Sequence, residues 1–354
     1  MARHNHRLPV LLILLAALAL SACAGIGAGQ TPAGDGHAGE SADMAIPDIT
    51  PVDLASGEPL RVVATTNIIG DVVTNVGGEH IDLTVLIPQG QDPHGYEPVA
   101  RDLAAVEGAD VIFVNGLDLE EALLGTVESA ASGPIVPISA GIDPLVFEGD
   151  EHEHEGEEEH QESEQHEEEG HTHTLDPHFW LDPNNVIVWA NNAAEVLSAA
   201  DPAHADAYRA NADAYVAQLE QLDADIRAAV KQIPAANRKL ITDHEAFGYF
   251  ADEYGFEQIG TVVPGTSTTA EPSAADLAAL VDLIRAQNVP AIFVGTSASG
   301  RLHDLSQTVA DEVGREVQIL PLYVGSLDAP GQPGDTYLGM MRFNLQQIVA
   351  GLAR

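Results

Sequence analysis

From Leu60 onward the chain repeats one pattern: a short β-branched apolar run, then a stretch of helical period. Arg61–Thr66, Ile81–Ile87, Ala109–Val114 and Ile135–Ile138 read as strands, with helices over Ile69–Val76, Val99–Val106 and Leu119–Ala131. A second series begins at Lys239. Its strands are Leu240–Thr242, Glu257–Val263, Ala291–Val294 and Gln318–Leu320, and its helices Ala246–Tyr254, Ala274–Gln287, Leu302–Val313 and Tyr337–Leu352. Strands apolar on both faces and separated by helices pair in parallel, because each helical crossover returns the chain in the same direction and covers the sheet. The pattern predicts an α/β fold with two lobes of mostly parallel sheet.

Between the two series, Asn185 to about Lys231 has no glycine, and its only proline, Pro202, suits a helix start after a break. Tyr208, Tyr215, Leu219, Leu222 and Ile226 form one apolar stripe. The lobes, 59–183 and 237–354, are therefore expected to be joined by a long rigid helix within 184–236. Such a strut restricts closure to small movements.

Composition narrows the partners. Of 354 residues, 55 are Asp or Glu against 14 Lys or Arg, a net charge of −41. Phosphate binding needs clustered cations, so nucleic acid and anionic lipid headgroups are excluded as partners. A single cysteine forms neither an internal disulfide nor a CxxC ligand set. A monomer is expected.

That cysteine closes an N-terminal address. Arg3 and Arg7 precede an uncharged run from Leu8 to Leu20, then Leu20-Ser-Ala-Cys23. The run is shorter than the ~20 residues that cross a bilayer. The box resembles the bacterial lipoprotein signal, which implies removal of residues 1–22 and lipidation of Cys23. An ordinary cleaved signal with an incidental cysteine is the competing reading. Residues 23–58, rich in Gly, Ala, Pro and Asp, read as a flexible tether to an extracytoplasmic protein.

Glu148 to His173 interrupts the first lobe with 13 acids and no Lys or Arg. Like charges at this density do not pack, so the whole of 148–174 reads as a solvated loop. Its six histidines, His152, His154, His160, His166, His171 and His173, set it apart from a merely solubilising run. Imidazoles among carboxylates suit borderline divalent ions, and auxiliary metal capture is the expected role.

Three further histidines stand in polar loops beside predicted strand ends: His94 in QDPHGYEP, His178 in DPHFWLDP and His244 in TDHEAFGYF. Ligands of open α/β sheets bind outside the carboxyl ends of strands, where such loops converge. Any one of these rings alone suits a cap or a core position. Together, 84 and 66 residues apart, they suit no local metal finger but would serve a cleft between lobes, where three imidazoles plus water form a normal tetrahedral zinc set.

At these residues the chain resembles the zinc- and manganese-binding lipoprotein subunits of bacterial ABC importers, a class of solute-binding proteins. The likeness runs from about Arg61 to Arg354 and includes ADVIFVNGLDLE, AEPSAADLAALVDLIRAQ and GDTYLGMMRFNLQQI as well as the three histidine motifs. It implies a metal held between two lobes and handed to a membrane permease served by a separate ATPase. His94, His178 and His244 match the family's ligand places. A histidine at the third place, together with a His-rich loop, points to zinc. The family's usual fourth ligand, an aspartate, falls here on Gly325, which leaves displaced Asp328, another acid or water to complete the set.

The expected function is thus zinc capture and delivery, with binding that weakens below pH ~6.5 as imidazoles protonate. Manganese uptake differs in ion only. An extracytoplasmic zinc hydrolase with Glu245 or Asp243 as base is the reading from another class, without an HExxH motif to support it.

Overall fold

A computed structural model describes residues 44–55, 57–117, 119–147 and 174–353, all within one compact unit that runs from Gly39 to Arg354. Cys23 and the six loop histidines lie outside the described residues. No helix among those described is long and apolar enough to cross a membrane.

The chain forms two α/β lobes. In the first, β1 (Leu60–Ala64), β2 (Ile81–Val85), β3 (Val111–Val114) and β4 (Ile135–Pro137) pair in parallel in the order β2-β1-β3-β4. Helices α1 (Asn67–Gly77), α2 (Ala100–Gly108) and α3 (Glu121–Ala130) make the crossovers. A two-residue hairpin, β5 (Val146–Phe147) with β6 (Thr174–Leu175), brackets the acidic segment. It was not predicted, since two-residue strands carry too little pattern to read.

The second lobe has β7 (Lys239–Thr242), β8 (Glu257–Thr261), β9 (Ala291–Gly295) and β10 (Gln318–Leu322), parallel and in the order β10-β9-β7-β8. Its helices are α6 (Gly248–Tyr254), α7 (Ala274–Gln287), α8 (Gly300–Glu312) and α9 (Tyr337–Leu352). Every predicted strand and helix of both series is present, with ends shifted by a few residues.

The segment expected as one linking helix holds two. The 18-residue α4 (Pro183–Ala200) starts at Asp182, whose side chain accepts from Asn184 N, with Pro183 in the first turn. It stops at Asp201-Pro202, because proline lacks the N–H that a continuing helix needs. The 26-residue α5 (Ala205–Val230) follows and buries Tyr208, Tyr215, Leu219, Leu222 and Ile226, the predicted stripe. One continuous core cluster takes in Leu60, Phe113, Trp189, Leu222, Phe293 and Tyr337, so α4, α5 and residues of both lobes share buried apolar surface.

The tether expectation over 23–58 needs correction at its end. Met44, Ile46, Ile49, Val52 and Leu54 pack against that core, and Val52 N donates to Ala200 O at 2.8 Å. Five apolar side chains within eleven positions supply enough buried area to hold this strap, a spacing that matches neither helix nor strand period.

Candidate metal centre

Each predicted histidine sits just past a structural stop. His94 follows β2, His244 follows β7, and His178 enters the turn that leads into α4. The two Asp-Pro-His motifs use one device: Asp92 Oδ1 accepts from His94 N at 3.1 Å and Asp176 Oδ1 from His178 N at 2.9 Å. The aspartate thereby folds the backbone over proline and fixes the histidine Cα. At the third loop, Asp243 Oδ1 accepts from His244 N, while Thr242 Oγ1 and Gln258 Nε2 donate to His244 O.

The structure brings all three rings together. His94 Nε2 and His244 Nε2 each lie 3.2 Å from His178 Nε2, and the three nitrogens fall within 4.8 Å of one another. His178 is 0% and His244 3% exposed, whereas His94 is partly open. They form the one such group of potential ligands among the described residues.

Two carboxylates orient the buried rings. Asp176 Oδ1 lies 2.8 Å from His178 Nδ1, and Asp243 Oδ1 2.7 Å from His244 Nδ1. The same oxygens already accept backbone N–H groups, so both Nδ1 atoms carry hydrogen and both Nε2 atoms present lone pairs. Two lone pairs 3.2 Å apart repel unless a positive centre, a proton or a metal ion, lies between them.

Electrostatics grade the three rings. Burial, reinforced by neighbouring imidazoles, holds His94 and His178 well below the ordinary histidine value. Burial acts the same way on His244, but the charge and hydrogen bond of Asp243 outweigh it and lift this ring above the ordinary value. Asp243, despite its own burial, is held below the usual carboxylate range by His244 and by the N–H groups of Gly295 and His244. Burial pushes the Asp176 carboxyl up to about 8, and its Oδ2 has no hydrogen-bond partner.

Asp328 does not join this group. Its Oδ2 accepts from the Tyr323 hydroxyl and its Oδ1 from Ala329 N. Proximity in sequence to Gly325 misled here, because the chain turns away to Gly334, whose carbonyl accepts from Asp328 N. Gly325 itself lies against the His94 loop: a Cβ built on it would meet Pro93 Cδ at 2.8 Å.

Several residues that hold the loops were not singled out from sequence. Asn115, directly after β3, donates to Pro177 O and anchors the His178 loop at the end of the first sheet. Thr268 Oγ1 donates to Asp92 Oδ2 across the cleft. Asn67 donates to Ser326 Oγ at 3.0 Å and accepts from Leu327 N at 2.7 Å, and Ser326 Oγ also accepts from Gly90 N. Only the aspartates of the Asp-Pro-His motifs had a local signal, the Asx turn; the others act across tens to hundreds of residues.

Comparison with known proteins agrees with this architecture. The ZnuA family model, described as zinc-uptake complex component A, periplasmic, matches residues 62–351. The chain is similar to the manganese ABC transporter substrate-binding lipoprotein PsaA of Streptococcus mitis, 32% identical over 309 residues that cover 85% of this chain and 92% of that one. It is also similar to the manganese-binding lipoprotein MntA of Halalkalibacterium halodurans, 33% identical over 298 residues and covering 84% and 90%. Among solved structures, the periplasmic zinc-binding protein TroA of Treponema pallidum superposes with a TM-score of 0.72. It is 32% identical, with 84% of this chain and 100% of that one covered.

Proposed function

Since this chain belongs to the ZnuA family, the metal-binding substrate-binding components of ABC importers, we propose that its cargo is Zn2+, held by Nε2 of His94, His178 and His244. Membership also sets the hydrolase reading aside, because the family consists of solute-binding proteins and not enzymes. The observation that carries the zinc reading is the pair of facing lone pairs on His178 and His244, each fixed by a carboxylate on the far side of its ring.

The spacing suits the ion. Zinc–nitrogen bonds of about 2.0–2.1 Å in a tetrahedron place their nitrogens ~3.3 Å apart. The two separations of 3.2 Å are close to that. The donor type suits it as well: three imidazole nitrogens favour zinc, whereas manganese prefers carboxylate and water oxygens. At Gly325, Pro93 fills the space that a carboxylate side chain would need, and water is left as the simplest fourth ligand.

In this reading the protein is a lipoprotein anchored at Cys23 outside the cytoplasm. It takes up Zn2+ and delivers it to a membrane permease powered by a separate ATPase, with the histidines between 152 and 173 gathering metal for the cleft. Manganese remains the second reading because PsaA and MntA carry that metal in their names.

The deciding experiment is metal content of protein purified without added metal, followed by zinc and manganese competition read from the emission of Trp180, whose ring lies 5.4 Å from that of His178. One zinc per chain, lost on His94→Ala, His178→Ala or His244→Ala with the fold intact, is expected. Manganese that displaces zinc at equal concentration would sink the proposal.

A further inference from the structure

A cavity of about 670 Å³ opens on the first-lobe side of the three histidines, and His94 is part of its wall. The wall includes Met44 from the N-terminal strap, Leu117, Leu124 and Pro137 from the first lobe, and Thr266 and Thr269 from the second. Glu121 and Glu128 of α3 are exposed and line it too. No Lys or Arg occurs among the described residues that line it.

A second space beside the histidines, bounded by Asp92, His94, His244, Thr268, Ala298 and Gly325, amounts to only about 10 Å³. A single water needs ~10–15 Å³, so a hydrated cation does not pass that way. His178 and His244 are buried, and His94, which borders both spaces, is the partly exposed member, so only the larger cavity has room for an ion to reach it.

Resting on the metal-binding reading of the three histidines, we propose that this cavity is the passage by which the cation reaches and leaves them, and that Met44 narrows it. The ion enters past Glu121 and Glu128, whose charges raise the local cation concentration, meets His94 first, and is then taken over by His178 and His244. Met44 forms part of the cavity wall: its Sδ sits 3.9 Å from Ser139 Oγ and 2.8 Å from where a Cβ on Gly116 would be. A flexible thioether there yields to a passing ion at little cost. Because the strap is pinned at Val52 to Ala200, it holds Met44 at the cavity wall.

Stopped-flow zinc binding and chelator-driven release test this. Met44→Trp, or Leu124→Trp from the facing wall should strap packing suffer, is expected to slow association and release together, each by roughly tenfold, with Kd unchanged. Met44→Ala should speed both. Glu121→Gln combined with Glu128→Gln should lower the association rate and flatten its dependence on salt. The passage is overturned if Met44→Trp and Leu124→Trp leave both rates unaltered while Ala298→Trp slows them. It is equally overturned if the Met44 variants change Kd through release alone, which would make Met44 a ligand. Failure of the metal-binding reading looks different: the unaltered chain would then take up no stoichiometric zinc.

Discussion

Pro93 occupies the volume that any side chain at Gly325 would need, its Cδ standing 2.8 Å from a Cβ built there. The glycine therefore does more than omit a ligand. It lets the Asp-Pro-His loop that carries His94 close against the second lobe, and the three imidazoles converge as a consequence.

Gly325→Asp should for this reason weaken zinc binding instead of adding a fourth ligand, because the new side chain displaces Pro93 and moves His94. Overpacking of this kind costs about 1–3 kcal/mol, which corresponds to roughly 5- to 150-fold in affinity. Gly325→Ala should show much of the same loss. Titration calorimetry against a competing chelator measures it, and a gain in affinity for Gly325→Asp would refute the argument.

Binding should respond to pH through His244 before the other two rings. Its folded value lies above 6.5, so in the metal-free protein it is the first of the three to take up a proton as pH falls. Zinc must displace that proton, and affinity should start to decline above pH 6.5 as pH is lowered, by about one decade per pH unit once His244 is protonated. His94 and His178, with depressed values, add their competition only at lower pH. Asp243→Asn removes the charge that raises His244 and should move the onset to lower pH. Equilibrium dialysis from pH 8 to 5 gives both curves, and identical onsets would count against the assignment.

Asp176 orients His178 through Nδ1, and loss of such a partner typically costs 10–100-fold in metal affinity. Asp176→Ala should fall in that range. Asp176→Asn, whose amide oxygen still accepts from Nδ1, should lose less. An Asp176→Ala affinity equal to that of the unaltered protein would indicate that the carboxylate does not position the ring.

The buried tie among Asn67, Ser326 and Leu327 joins the first helix of one lobe to the loop after β10 of the other. Asn67→Ala leaves the Leu327 N–H without its acceptor, a loss of about 1–3 kcal/mol. Calorimetry of the metal-free protein should show a lower Tm, and zinc should restore part of it by bridging the lobes through His94 and His244. An unchanged Tm would mean that the tie contributes nothing net.

What could be read from residues alone was local. Two α/β series, the apolar stripe of α5, and three histidines in loops at element ends all rest on periodicity or turn chemistry within a few positions, which the sequence displays directly. Even there, Pro202 marks a helix start after a break, yet a single long linking helix is what the stripe suggests where α4 and α5 stand, and the hairpin around the acidic segment is too short to register.

Tertiary packing alone decided the rest. Whether Nε2 atoms 84 and 66 residues apart approach to 3.2 Å depends on how α4, α5 and the two sheets share one core. That Asn115 clamps Pro177, that Asp328 turns to Tyr323, and that the stretch after Met44 lies down as a strap are outcomes of which surfaces meet. Distances across a cleft follow from the sum of many packing contacts, and no short window of residues encodes that sum.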